Sequence, residues 1–289
     1  MQIGCHGLTW IGSFDPEGFD VALRKTEEAG FDLLEIPLFD PAGFDVAHAK
    51  KALKASPLAL TASLGLGADT DINCEDAEQT ARGRALLFRA VEVMAECESE
   101  HLVGALFSAL RKYPEPATAE ARKNSAQVIH DLSERGAELG VQIGLEIVNR
   151  YETNLFNTVK EGLEFLDLVD HPNAGLHIDT YHMNIEESDM VLPVIKGADR
   201  ISYVHIGESH RGYLGSGSVD FDSLFRALTH IGYDGVITFE SFSSAVVNKD
   251  LSNTLAIWRN LWTDSDDLGA HANRFIRDGL RSAAAAAGH

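Results

Sequence analysis

Cysteine is scarce in this chain: Cys5, Cys74 and Cys97 are three scattered thiols in 289 residues. Their placement excludes a disulfide framework and a cysteine-ligated zinc, and it suits a reducing compartment. Long apolar runs are missing too, since none approaches the roughly 20 residues that a membrane-spanning helix needs. The opening "MQIGCHGLTW" passes straight into a strand-like pattern, with no basic region ahead of an apolar one. No signal peptide is expected, and a cytoplasmic location is. Positive charge is also short: 24 Lys and Arg face 44 Asp and Glu, a formal net charge of −20. Such a field repels phosphate backbones and acidic lipid, which argues against nucleic-acid and membrane partners. It would gather cations at an acidic cleft. No Pro-, Gly- or Ser-rich linker divides the chain. A single domain over 1–289 is expected, with a helical extension over about 250–283 and a frayed Ala-rich tail, "RSAAAAAGH".

Apolar runs of strand length recur at 3–8, 33–38, 58–66, 101–107, 141–148, 174–180, 201–207 and 235–242. They are nearly continuous, as parallel strands covered on both faces should be. Helical patterns lie between them. Phe19, Ala22, Leu23 and Thr26 are spaced for one helix face before Gly30, and Phe221, Leu224, Phe225 and Leu228 repeat this before Gly232. Eight units sharing 289 residues leave about 36 each, near the size of one strand–helix module. The expected fold is α/β, a (β/α)8 TIM barrel. A doubly wound open sheet is the rival, but "GCHGLTWIG" lacks the glycine fingerprint that nucleotide-binding sheets carry after their first strand.

Barrel enzymes place their chemistry where strands end. The last four runs carry Glu146 in "GLEIVNRYE", Asp179 in "HIDTYH", His205 in "YVHIGE" and Glu240 in "ITFESF". Each lies in an apolar run, where an unpartnered charge is costly. Three carboxylates converging on one mouth call for a divalent cation, and an imidazole completes four ligands. Three oxygens and one nitrogen, with no thiolate, suit Mn²⁺, Mg²⁺ or Co²⁺ better than a structural zinc, and no organic cofactor is expected. Glu152, His182 and Arg211 follow these residues into the loops, where each could equally be a solvated acid, a helix-start residue or a surface ion pair.

With these segments the chain resembles the ketose 3-epimerases, the D-tagatose/D-allulose 3-epimerase family of xylose-isomerase-like barrels. "GLEIVNRYETNLFNT", "HIDTYHMNIEES", "YVHIGESHRGYLGSGSVDF" and "ITFESFSS" carry the likeness. It implies a metal site of Glu146, Asp179, His205 and Glu240, and sugar contacts from Glu152, His182 and Arg211. His6, Trp10 and Ser63 would line the sugar's far end, Glu35 is either a pocket residue or a buried structural acid, with the structural reading favoured, and Phe107 stands where close relatives are expected to have tyrosine. The likeness also implies a homodimer or homotetramer. Ile257, Trp258, Leu261 and Trp262 could serve that interface or cover the barrel, with cover the favoured reading.

The chemistry expected is inversion at C3 of a free ketose, D-allulose/D-fructose first, then D-tagatose/D-sorbose or L-ribulose/L-xylulose. The cation would steady the enediolate charge while Glu146 and Glu240, one on each face of C3, remove and return the proton. An aldose–ketose isomerase is the nearest alternative. A metal-dependent phosphodiesterase or endonuclease would want more strand-end histidine and a basic surface.

Overall fold

Strands that are apolar on both sides have to be covered on both sides, and the chain achieves this by closing its sheet. The computed structural model describes residues 1–247 and 249–288. Its eight strands are β1 (Gln2–His6), β2 (Leu33–Pro37), β3 (Ala59–Ser63), β4 (His101–Gly104), β5 (Gln142–Glu146), β6 (Ala174–Asp179), β7 (Ile201–Ile206) and β8 (Val236–Phe239). They form a parallel barrel in chain order, with β8 pairing back onto β1. The expected (β/α)8 barrel is what forms.

Helices α1 (Pro16–Glu28), α2 (Val46–Leu53), α3 (Ala77–Glu96), α4 (Ala119–Leu139) and α5 (Val159–Val169) follow the first five strands. The short α6 (Thr180–Glu186) and α7 (Leu192–Gly197) lie between β6 and β7, and α8 (Phe221–His230) leads into β8. After β8 come α9 (Lys249–Thr254) and α10 (Ser265–Ala287). Asp15, Asp45, Asp76, Asp179, Asp220 and Asp264 each accept a backbone N–H at a helix start, so part of the acid excess is spent on caps. Gly30 and Gly232 take left-handed φ of 80° and 68° past α1 and α8, where a side chain would be strained.

The large core lies between strands and helices, and Phe19, Ala22, Leu23 and Thr26 of α1 face it as their spacing requires. Inside the barrel, Leu33, Val103, Tyr203 and Val236 form a separate apolar plug. Several strands are shorter than their apolar runs. Leu64, Gly65, Leu66 and Ala105 lie past the ends of β3 and β4 and become walls of a cavity, so they stay apolar outside the strands. The Ala-rich tail is not frayed: α10 continues through Ala287 and ends on Gly288 at φ 81°. Alanine has the highest helix propensity, so the helix carries on. Trp262 covers the barrel as expected, buried with its indole N–H 2.8 Å from Ser241 Oγ, whereas Trp258 is exposed.

Candidate active site

Strand register brings the four candidate ligands together. Asp179 pairs with His205 across β6 and β7, and Glu240 extends β8 by bonding its N–H to the Ile206 carbonyl at 3.0 Å. One ligand atom from each of Glu146, Asp179, His205 and Glu240 lies within 4.8 Å of the others. His205 Nδ1 faces Glu240 at 3.6 Å and Glu146 at 3.9 Å, and it is buried with no hydrogen-bond partner among the described residues. An orphaned imidazole nitrogen facing converging carboxylates is what a divalent cation fits, and the oxygen-rich set favours a hard ion.

Glu35 explains why Nδ1 is the free atom. Its carboxylate accepts from His205 Nε2 at 2.9 and 3.0 Å and from the Tyr203 hydroxyl at 2.7 Å. Thr61 and Thr238 lie 2.8 Å from the same tyrosine oxygen, whose proton is already committed, so both donate to it. Glu35 therefore fixes the tautomer of His205, as carboxylates behind metal-bound histidines do. Burial favours its neutral form, but His205, His6 and His177 outweigh this and hold it well below the ordinary carboxylate range. Glu35 is the buried structural acid that the sequence favoured over a pocket residue, and what the sequence did not give is its hold on His205. The available signal was an acid inside the otherwise apolar "LLEIP".

Asp179 divides its two oxygens. Oδ1 caps α6 by accepting from Tyr181 N at 2.6 Å, and Oδ2 turns to the site, 3.2 Å from Arg211 Nη1. His182, one turn on, accepts at Nδ1 from the Asn149 backbone at 3.1 Å and its side-chain amide at 2.8 Å. Its proton is thus on Nε2, which points at Glu146 and Asp179 from 3.6 and 3.7 Å. Burial lowers its pKa to about 3 despite the pull of Asp179, leaving a neutral donor.

Arg211 lies in a loop organised by buried Glu208, which accepts from the backbone of Ser209 at 2.8 Å and Gly215 at 2.9 Å. Its φ of 61° is left-handed. The guanidinium stacks 4.0 Å from the Tyr181 ring centroid, and Nη1 also contacts Glu240. Ser241 Oγ donates to the Arg211 carbonyl at 2.5 Å, so the covering Trp262 reaches this loop through one hydroxyl.

Glu146 and Glu240 line a cavity of about 500 Å³ together with His6 and Ser63, whose Nε2 and Oγ are 3.1 Å apart. A neighbouring cavity of about 180 Å³ is lined by Glu152, Tyr181 and Arg211, and the two share Phe242 and Leu255. Glu152 accepts from the Asn149 amide at 2.8 Å, and burial raises its pKa. Trp10 is not in either lining: its indole N–H bonds Thr26 of α1 at 2.9 Å, which draws the ring under the helices. Phe107 is likewise core, its ring centroid 4.0 Å from that of Phe156.

Residues 23–261 match the xylose isomerase-like TIM barrel family. The ketose 3-epimerase of Arthrobacter globiformis is 56% identical over 97% of each chain. This chain belongs to the ketose 3-epimerases. Within that family, the L-ribulose 3-epimerase of Methylomonas sp. is 50% identical over 96% of this chain and 97% of its own. The crystal structure of a Methylomonas sp. D-allulose 3-epimerase in complex with D-allulose matches with a TM-score of 0.95 at 50% identity, covering 96% of both chains. As a ketose 3-epimerase, the chain is an enzyme of the isomerase class with a carbohydrate substrate.

Proposed function

We propose that the chain interconverts free ketoses at C3, with D-allulose/D-fructose as the first pair and Mn²⁺ as the preferred ion. Two glutamates from strands on well-separated parts of the barrel line one cavity and also belong to the candidate ligand set, and this observation carries the reading. Glu146 comes from β5 and Glu240 follows β8, so a sugar between them has a carboxyl available on either face of C3. One takes the C3 proton and the other returns a proton to the opposite face, with roles exchanged in the reverse direction. The cation, when bound, supplies Lewis-acid stabilisation of negative charge developing at the ketose carbonyl. His182 donates Nε2–H to a sugar oxygen, Arg211 offers its fork to another, and Glu152 accepts from a hydroxyl. His6 and Ser63 meet the sugar at its far end. The relatives named for D-allulose and L-ribulose support both six- and five-carbon substrates.

Incubation with D-fructose and Mn²⁺ in D₂O tests this directly. The expected product is a new ketose carrying deuterium at C3. An aldose, or deuterium appearing only at C1, would assign the barrel to aldose–ketose isomerisation instead.

Cation binding is expected to release at least one proton. Burial opposes charge on His205, but Glu35, Glu240 and Glu146 outweigh it and push its pKa up to about 10. Below that pH an incoming ion displaces the proton, so affinity rises with pH by on the order of tenfold per unit and levels off above. Calorimetric titration with Mn²⁺ in buffers of different ionisation enthalpy counts the protons. A count of zero near neutral pH contradicts His205 as a ligand.

A further inference from the structure

His177 lies within the barrel, fully buried, and neither ring nitrogen has a hydrogen-bond partner among the described residues. Side chains alternate along a strand, so His177 shares the inner face of β6 with Asp179, one layer deeper. Register sets it opposite Glu146 on β5 and Tyr203 on β7, and its ring stands edge-on to His205 with centroids 4.1 Å apart. Interiors seldom leave both polar atoms of one ring unpaired, and such a group points to a ligand. One atom each from Glu146, His177 and His205 lie within 4.8 Å of one another.

We propose that Glu146, His177 and His205 form a second cation position, deeper in the barrel than the four-ligand site, for nitrogen-preferring divalent ions such as Zn²⁺. Two imidazoles and a carboxylate are a common zinc set, whereas one imidazole with three carboxylates suits Mn²⁺ or Mg²⁺. The two positions share Glu146 and the free Nδ1 of His205, because Glu35 occupies Nε2. Only one can be filled at a time. Zn²⁺ in the deeper position draws Glu146 away from the sugar cavity and leaves Asp179 and Glu240 to Arg211. Zinc therefore inhibits by competing with Mn²⁺ and not with sugar.

The proposal rests on the four-ligand reading only through the two shared side chains. Anomalous difference maps from wild-type crystals soaked in ZnCl₂ alone and in MnCl₂ alone place each ion. The expected zinc peak lies about 2.0–2.1 Å from nitrogens of His177 and His205, and the manganese peak lies among Glu146, Asp179, His205 and Glu240. Coincident peaks at the upper position overturn the proposal and leave the four-ligand site standing. A manganese peak elsewhere counts against that site instead. In solution, His177→Asn is expected to weaken Zn²⁺ binding by about tenfold or more while Mn²⁺ binding stays within about threefold. Equal losses for both ions, or no loss of Zn²⁺ binding, overturn the proposal.

Discussion

Replacing Glu146 by Gln should slow epimerisation by about 10²–10⁴-fold while leaving the fold intact. Glutamine keeps the size of the side chain and one oxygen for the cation, but it cannot carry a proton to or from carbon. Measured at saturating Mn²⁺, the variant separates chemistry from ion loss. The stereochemistry sharpens the test. With Glu146 silent, Glu240 can still remove and return the hydrogen of the epimer whose C3–H faces it. Glu146→Gln should thus retain deuterium uptake from one epimer and lose it from the other, and Glu240→Gln should show the mirror result. Near-normal epimerisation by either variant, or loss of exchange from the same epimer in both, rejects two opposed carboxyls. The surroundings already distinguish the pair: burial, with Glu240 and Asp179, outweighs His205 and raises the Glu146 pKa well above the ordinary range. Burial also opposes ionisation of Glu240, but Arg211 and His205 prevail and lower its pKa. Environments that push two carboxyls apart suit an acid and a base working together.

His205→Asn should destabilise the chelated protein by about 3–5 kcal/mol, because Glu35 is left deep in the barrel without its main partner. Adding Glu35→Gln should recover part of that loss, with a coupling of about 0.5–3 kcal/mol in a double-mutant cycle followed by urea unfolding. Simple additivity would mean that the two side chains do not act as a pair. The pH dependence has a defined sign. The folded pKa of His205 is raised from 6.5 to about 10, so its contribution is complete below 6.5 and fades as pH rises through about 10. That of Glu35 is lowered from 4.5, so its contribution is complete above 4.5 and is lost only in strong acid. The pair contributes most between 4.5 and 6.5. Wild type should lose stability relative to His205→Asn from there towards pH 10, and parallel curves would contradict the assignment.

What could be read from the sequence and what could not divide along a physical line. Glu146, Asp179, His205 and Glu240 stand out because each puts a titratable group into an apolar run at the end of its own strand, a local feature. Glu35 has the same local appearance, but its meaning comes from a partner 170 residues away, and no spacing conveys that. Trp10 was misplaced because a strand-end aromatic can turn towards the cavity or beneath the helices. Thr26, also distant in sequence, decides which. The walls of the larger cavity read as strand because a largely apolar pocket and a buried ladder use the same residues. The tail was misread because composition alone does not separate a helix of alanines from a loose end.

Arg211 lends the acid cluster a positive charge of its own, with Nη1 3.2 Å from Asp179 and in contact with Glu240. Small metallo-domains that rely on the ion alone for this neutralisation unfold when it is stripped away. Here Arg211 supplies part of that neutralisation, so chelation is expected to cost activity and leave the barrel folded, and returning the ion is expected to restore output without new protein.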